Sequence, residues 1–84
     1  MSKYGKLLLQ VTSGKSDKDI ETDDLCRLMI KLGFDNRIRG SHHIFFKAGI
    51  NELINLQCDG KNAKPYQVKQ VRRIIFEDEL GGNL

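Results

Sequence analysis

Tyr4, Leu7, Leu8 and Val11 recur at i, i+3, i+4 and i+7. That spacing marks one face of a helix and predicts a short one from Lys3 to about Val11. Gly5 weakens it by about 1 kcal/mol relative to Ala, so this helix leans on the rest of the protein. The polar stretch Thr12–Asp17 breaks the pattern. A second helix follows, capped by Glu21 or Thr22, with Asp23 and Asp24 in its first turn, where the helix dipole favours anions. Leu25, Leu28, Met29 and Leu32 form its buried stripe. Gly33 then suits the left-handed position just past the helix end, and Phe34 the hydrophobic contact after it.

Three strand-like runs come next: residues 34–39 ending at Gly40, residues 42–47 closed by Ala48-Gly49, and residues 53–58 ending at Asp59-Gly60. Such short connections favour an antiparallel meander. Pro65 fits the first position of a last helix, running to about Glu79, with Val68, Val71, Ile74 and Ile75 turned inward. The order α, α, β, β, β, α predicts an α+β fold, with helices packed on one face of a three-stranded antiparallel sheet.

At 84 residues the chain has room for a single domain over residues 1–84. No apolar stretch is long enough to suggest a leader or a membrane span. Cys26 and Cys58 make no Cys-x-x-Cys pair and no disulfide framework, and Cys26, on an apolar helix face, reads as a buried free thiol. Metal binding would require both cysteines and both histidines to converge without zinc-finger spacing, so neither metal nor cofactor is expected. These cysteines fit a reducing cytoplasm. Gly14-Lys15-Ser16 lacks the upstream glycine of a phosphate loop, position 9 being Leu, and is set aside.

The net charge of +3 conceals an asymmetry. Asp17, Asp19, Glu21, Asp23 and Asp24 cluster ahead of the second helix, whereas Lys61, Lys64, Lys69, Arg72 and Arg73 lie in an acid-free stretch. Arg37 and Arg39 add charge in the middle of the chain. Such cations suit a phosphate backbone or an acidic protein surface. A solvated helix face explains Lys69, Arg72 and Arg73 equally well.

Both histidines of the chain sit in Gly40-Ser41-His42-His43-Ile44-Phe45. Histidine exchanges protons near neutral pH, its unperturbed pKa being about 6.5. A strand histidine is nonetheless more often a surface or packing residue than a catalyst. Strand alternation sends His42, Ile44 and Phe46 to one side and His43 and Phe45 to the other, so at most one histidine is catalytic. Bulky residues on both sides leave open which face meets the core. On residues alone, a nuclease, a non-catalytic RNA binder and a protein-interaction module stand level.

The run Gly40–Phe45 resembles the signature of the HicA toxins, the mRNA-cleaving partners of HicB antitoxins in type II toxin–antitoxin systems. The resemblance spans about residues 20–80, leaving residues 1–19 as an N-terminal extension. It includes the Leu-rich helix ending in Gly33-Phe34, the Gly60-Lys61 turn and the segments Ile54–Gln57 and Ala63–Arg72. It implies a double-stranded-RNA-binding-domain-like fold and metal-free RNA cleavage centred on the histidine after Gly-Ser, here His42. Partners would be mRNA and a HicB-type antitoxin, and no membrane. His43 becomes an auxiliary candidate together with Ser41, Gly40 and Lys61. Arg37, Arg39, Lys64, Lys69, Arg72 and Arg73 become candidate RNA contacts. Many family members carry His-Pro-Gly-Lys before the last helix, whereas this chain has Cys58-Asp59-Gly60-Lys61. The second histidine of a two-histidine scheme is therefore absent, which leaves a lysine, His43 or water as the general acid. The alternative function remains a non-catalytic module of the same fold that binds RNA or protein.

Overall fold

A computed structural model describes residues 3–82; residues 1, 2, 83 and 84 lie outside them. The elements follow the expected order: α1 (Lys3–Ser13), α2 (Thr22–Lys31), β1 (Asp35–Arg39), β2 (His42–Lys47), β3 (Ile50–Gln57) and α3 (Pro65–Glu77). The segment from α2 to α3 has the helix–three strands–helix order of a double-stranded-RNA-binding-domain-like fold, with α1 added in front.

Helix α2 ends as its sequence foretells. Gly33 takes φ +97°, a left-handed conformation that costs glycine no Cβ clash. The Gly33 N–H donates to the Ile30 carbonyl and the Phe34 N–H to the Met29 carbonyl, the paired bonds of a Schellman cap. Lys47 brings its ammonium to the Gly33 carbonyl at 3.4 Å, a cation at the negative end of the helix. At the other end of the chain, Gln67 closes the start of α3 by accepting the Lys64 N–H through its side chain.

The strands form an antiparallel sheet in the order β1-β2-β3. Gly40, at φ +60°, opens the two-residue turn between β1 and β2. Its positive φ at the first turn position with none at Ser41 is the type II′ pattern, whose twist matches that of the flanking strands. Strand β3 begins at Ile50, earlier than the expected Leu53. The tight turn at Ala48-Gly49 pairs Lys47 with Ile50 at once, and the register then shifts before Phe45 meets Ile54, so that Asn51 and Glu52, weak strand formers, fall in an irregular stretch of β3.

Phe45 from β2 and Ile54 and Leu56 from β3 face the helices and are fully buried. They meet Leu25, Leu28 and Met29 of α2 and Val68, Val71, Ile74 and Ile75 of α3 in one cluster. Leu7 and Val11 of α1 belong to the same cluster, so the weak first helix is held by packing on the other two. Cys26 departs from expectation. It is not a free thiol but is joined to Cys58, just past β3, because packing α2 on the sheet brings the two side chains together.

Arg72 ties these layers. Its guanidinium makes two bonds to Asp17, at 2.8 and 3.2 Å, and a third to the Val11 carbonyl at 3.2 Å. The pair is mostly shielded, the two side chains being 21% and 13% exposed, so solvent screens it less than a surface pair. Arg72→Ala leaves Asp17 and the end of α1 without their partner. A loss of about 1.5–3 kcal/mol of unfolding free energy is expected in urea denaturation.

Candidate active site

Helix packing decides which face of β2 is open. Phe45 points into the core, so His43, two residues away on the same side, also points toward the helices, its ring stacked on Phe45 with centroids 6.2 Å apart. His42 therefore stands on the open face. Its cross-strand neighbours are Arg39 on β1 and Gln57 on β3. One pair further along, Arg37 and Asn55 flank Ile44 on that face, and Arg37 also lies over the Phe46 ring at 5.6 Å.

His42 Nδ1 lies 3.3 Å from Asn55 Oδ1. An amide oxygen only accepts, so this bond forms when Nδ1 carries the proton, and Nε2 is then left as the proton acceptor. Asn55 is itself held, its backbone carbonyl accepting from Gln67 of α3. Beside it, Gln57 donates to the Ser41 hydroxyl in the turn that precedes His42.

His42 opens onto a cleft of about 380 Å³ lined also by Asn55, Gln57, Asp59, Lys61, Lys64 and Tyr66, with Thr22, Asn62 and Gln67 completing the wall. The loop carrying Lys61 is anchored at several points. The Lys61 carbonyl accepts from both the backbone N–H and the hydroxyl of Thr22, at 3.0 and 2.6 Å. Ala63 bonds Ile20, and Asn62 reaches the Lys18 carbonyl. Within the loop, Asp59 accepts the Lys61 N–H. Among the described residues, neither the Lys61 nor the Lys64 ammonium is in an ion pair. The cleft thus combines a proton acceptor with two unpaired cations.

A model of a protein family described as the HicA toxin of bacterial toxin–antitoxin systems matches residues 22–75, from the first residue of α2 into α3. The chain belongs to the HicA toxin family. No curated protein and no solved structure matches it.

Of the sequence candidates in this HicA-family chain, the cleft brings together His42, Lys61 and Lys64. Ser41 is next to it, and Arg37 and Arg39 share its sheet face. Gly40 serves the turn, with open space where a Cβ would stand. Lys69 is exposed on α3 outside the cleft lining. His43 is on the opposite side of the sheet. Arg72 is engaged within the fold, and Arg73 is shared between Glu52, at 2.6 Å, and Glu77, at 3.2 Å.

Sequence reading gave Asn55 and Tyr66 no place in the site and Thr22 only a helix-capping role. For Asn55 a signal existed: with Leu53 and Gln57 it alternates with the buried Ile54 and Leu56, which assigns it to the open face. For Thr22 there was none, since its partner lies 39 residues away.

The Arg73 and Gln70 side chains bond the Glu52 carboxylate and hold it below the usual value near 4.5; the same pairing raises Arg73. The stabilisation from this pair is present above the ordinary carboxylate value and is lost as pH falls through the lowered one. In a carbon-detected NMR titration the Glu52 midpoint is expected below 4.5, rising toward the ordinary value in Arg73→Ala.

Proposed function

We propose that this HicA-family toxin is an endoribonuclease of the cytoplasm that cleaves mRNA with His42 as the proton-transferring group. The observation that carries the reading is His42 facing the cleft that holds Lys61 and Lys64, with Asn55 at its Nδ1. Nε2 takes the proton from a ribose 2′-OH, and the freed oxygen attacks the adjacent phosphorus in line. Lys61 and Lys64 stabilise the charge that builds on the phosphoryl oxygens. The departing 5′-oxygen receives its proton from a cleft ammonium or from water. The products are a 2′,3′-cyclic phosphate and a 5′-hydroxyl, and protein groups alone carry the step. Arg37 and Arg39 extend the cationic surface along the strand face toward the RNA backbone. Tyr66, exposed at the cleft wall, offers a ring for a base to stack on.

A HicB-type antitoxin would silence the toxin by covering this cleft, presenting acidic or aromatic groups to the lysines. His42→Ala is expected to lower cleavage of a synthetic RNA by at least about 100-fold while RNA binding and the circular-dichroism spectrum persist. Wild-type cleavage in that variant would overturn the assignment. RNA bound by the wild-type protein but still intact after long incubation would favour a binding module.

Asn55→Ala removes one hydrogen bond that orients the ring. Cleavage is expected to fall about tenfold, the equivalent of about 1.4 kcal/mol, in single-turnover assays.

A further inference from the structure

Cys26, His43 and Cys58 come from α2, β2 and the exit of β3, yet their ligand atoms all lie within 4.8 Å of one another. They sit on the helix side of the sheet, away from His42. We propose that, with the cysteines reduced, these three side chains form a zinc site. Two thiolates and an imidazole are a donor set for zinc rather than for magnesium or calcium, which take oxygen ligands. The backbones also suit a bridging ion. The Cα atoms of Cys26 and Cys58 are 7.3 Å apart, beyond the roughly 4.4–6.8 Å usual across a disulfide. Zinc–sulfur bonds of about 2.3 Å in tetrahedral geometry part the two sulfurs by about 3.8 Å. Closing a triangle of this size around one ion needs side-chain shifts of about 1 Å. Cys58 and His43 are half-buried, which leaves a path for the ion and a fourth position for water.

The disulfide is the oxidised, metal-free form of the same cluster. A dithiol reductant supplies two electrons and two protons, leaving as its own disulfide, and restores both thiols. Zinc binding then releases those two protons as the thiolates take the metal. The bound ion links α2 and β2 to the first residue of the loop that carries Asp59 and Lys61. It takes no part in proton transfer at His42, so the inference stands apart from the proposed cleavage.

The test uses the full chain, reduced and free of oxygen, titrated with cobalt(II). One equivalent is expected to produce the thiolate-to-cobalt charge-transfer band and tetrahedral visible bands, both erased by zinc. Zinc is also expected to raise the melting temperature of the reduced protein but not of the disulfide form. Cys58→Ser, at a half-buried position, is expected to lose the charge-transfer band while folding normally by circular dichroism. His43→Ala is expected to weaken cobalt binding by about 10–100-fold. His42→Ala is expected to leave the spectrum unchanged. Absence of the bands in the reduced protein, equal affinity in His43→Ala, or loss of the bands in His42→Ala would each overturn the proposal.

Discussion

The chemistry of this chain depends on the burial of Phe45 against two helices. A strand points successive side chains to opposite faces, so one buried aromatic assigns every residue of β2. With Phe45 in the core, His43 is drawn to the helix side and His42 is left at the open face, beside Gln57 and near Asn55. A register slip of one residue would exchange the two histidines. The tight turn at Gly40-Ser41 guards against it, since it fixes Arg39 opposite His42 and an unbroken register along β1 and β2. The hydrophobic core therefore works as the selector of the candidate active group, although none of its members touches the cleft.

The cleft wall is assembled by backbone bonds between distant segments. Thr22, at the first turn of α2, holds the Lys61 carbonyl, while residues Lys18 and Ile20 bind the two residues that follow. This ties the position of a cleft lysine to the packing of α2. Cations elsewhere are sorted by the same packing. Arg72 is consumed by Asp17 and the end of α1, and Arg73 by Glu52 and Glu77. Lys61 and Lys64, on the cleft wall, have no ion-pair partner among the described residues. Of the basic groups between residues 60 and 76, therefore, some serve the fold and others the surface.

Much of the fold could be read from spacing. The 3.6-residue stripes located all three helices, and Gly33-Phe34 announced the Schellman cap in full. Short turns announced the meander. The start of β3 was missed because Asn51 and Glu52 are poor strand formers in a stretch where the β2–β3 register shifts, and Glu52 is held by Gln70 of α3 rather than by preference. Asn55 was visible as an alternating polar position, but its bond to His42 depends on the β2–β3 register. Cys26 and Cys58 carry no useful spacing, and only the docking of α2 on the sheet made them neighbours of each other and of His43.

By itself the sequence determined the elements, their antiparallel connections, the family signature at Gly40–Phe45 and the division of its histidines between two faces. These are local properties, set by side-chain periodicity, turn chemistry and the geometry of one strand. Only the tertiary structure decided which histidine faces outward, which cations remain unpaired and which thiols meet. Each of those depends on contacts between residues far apart in the chain, and such contacts exist only once helices have packed on a sheet.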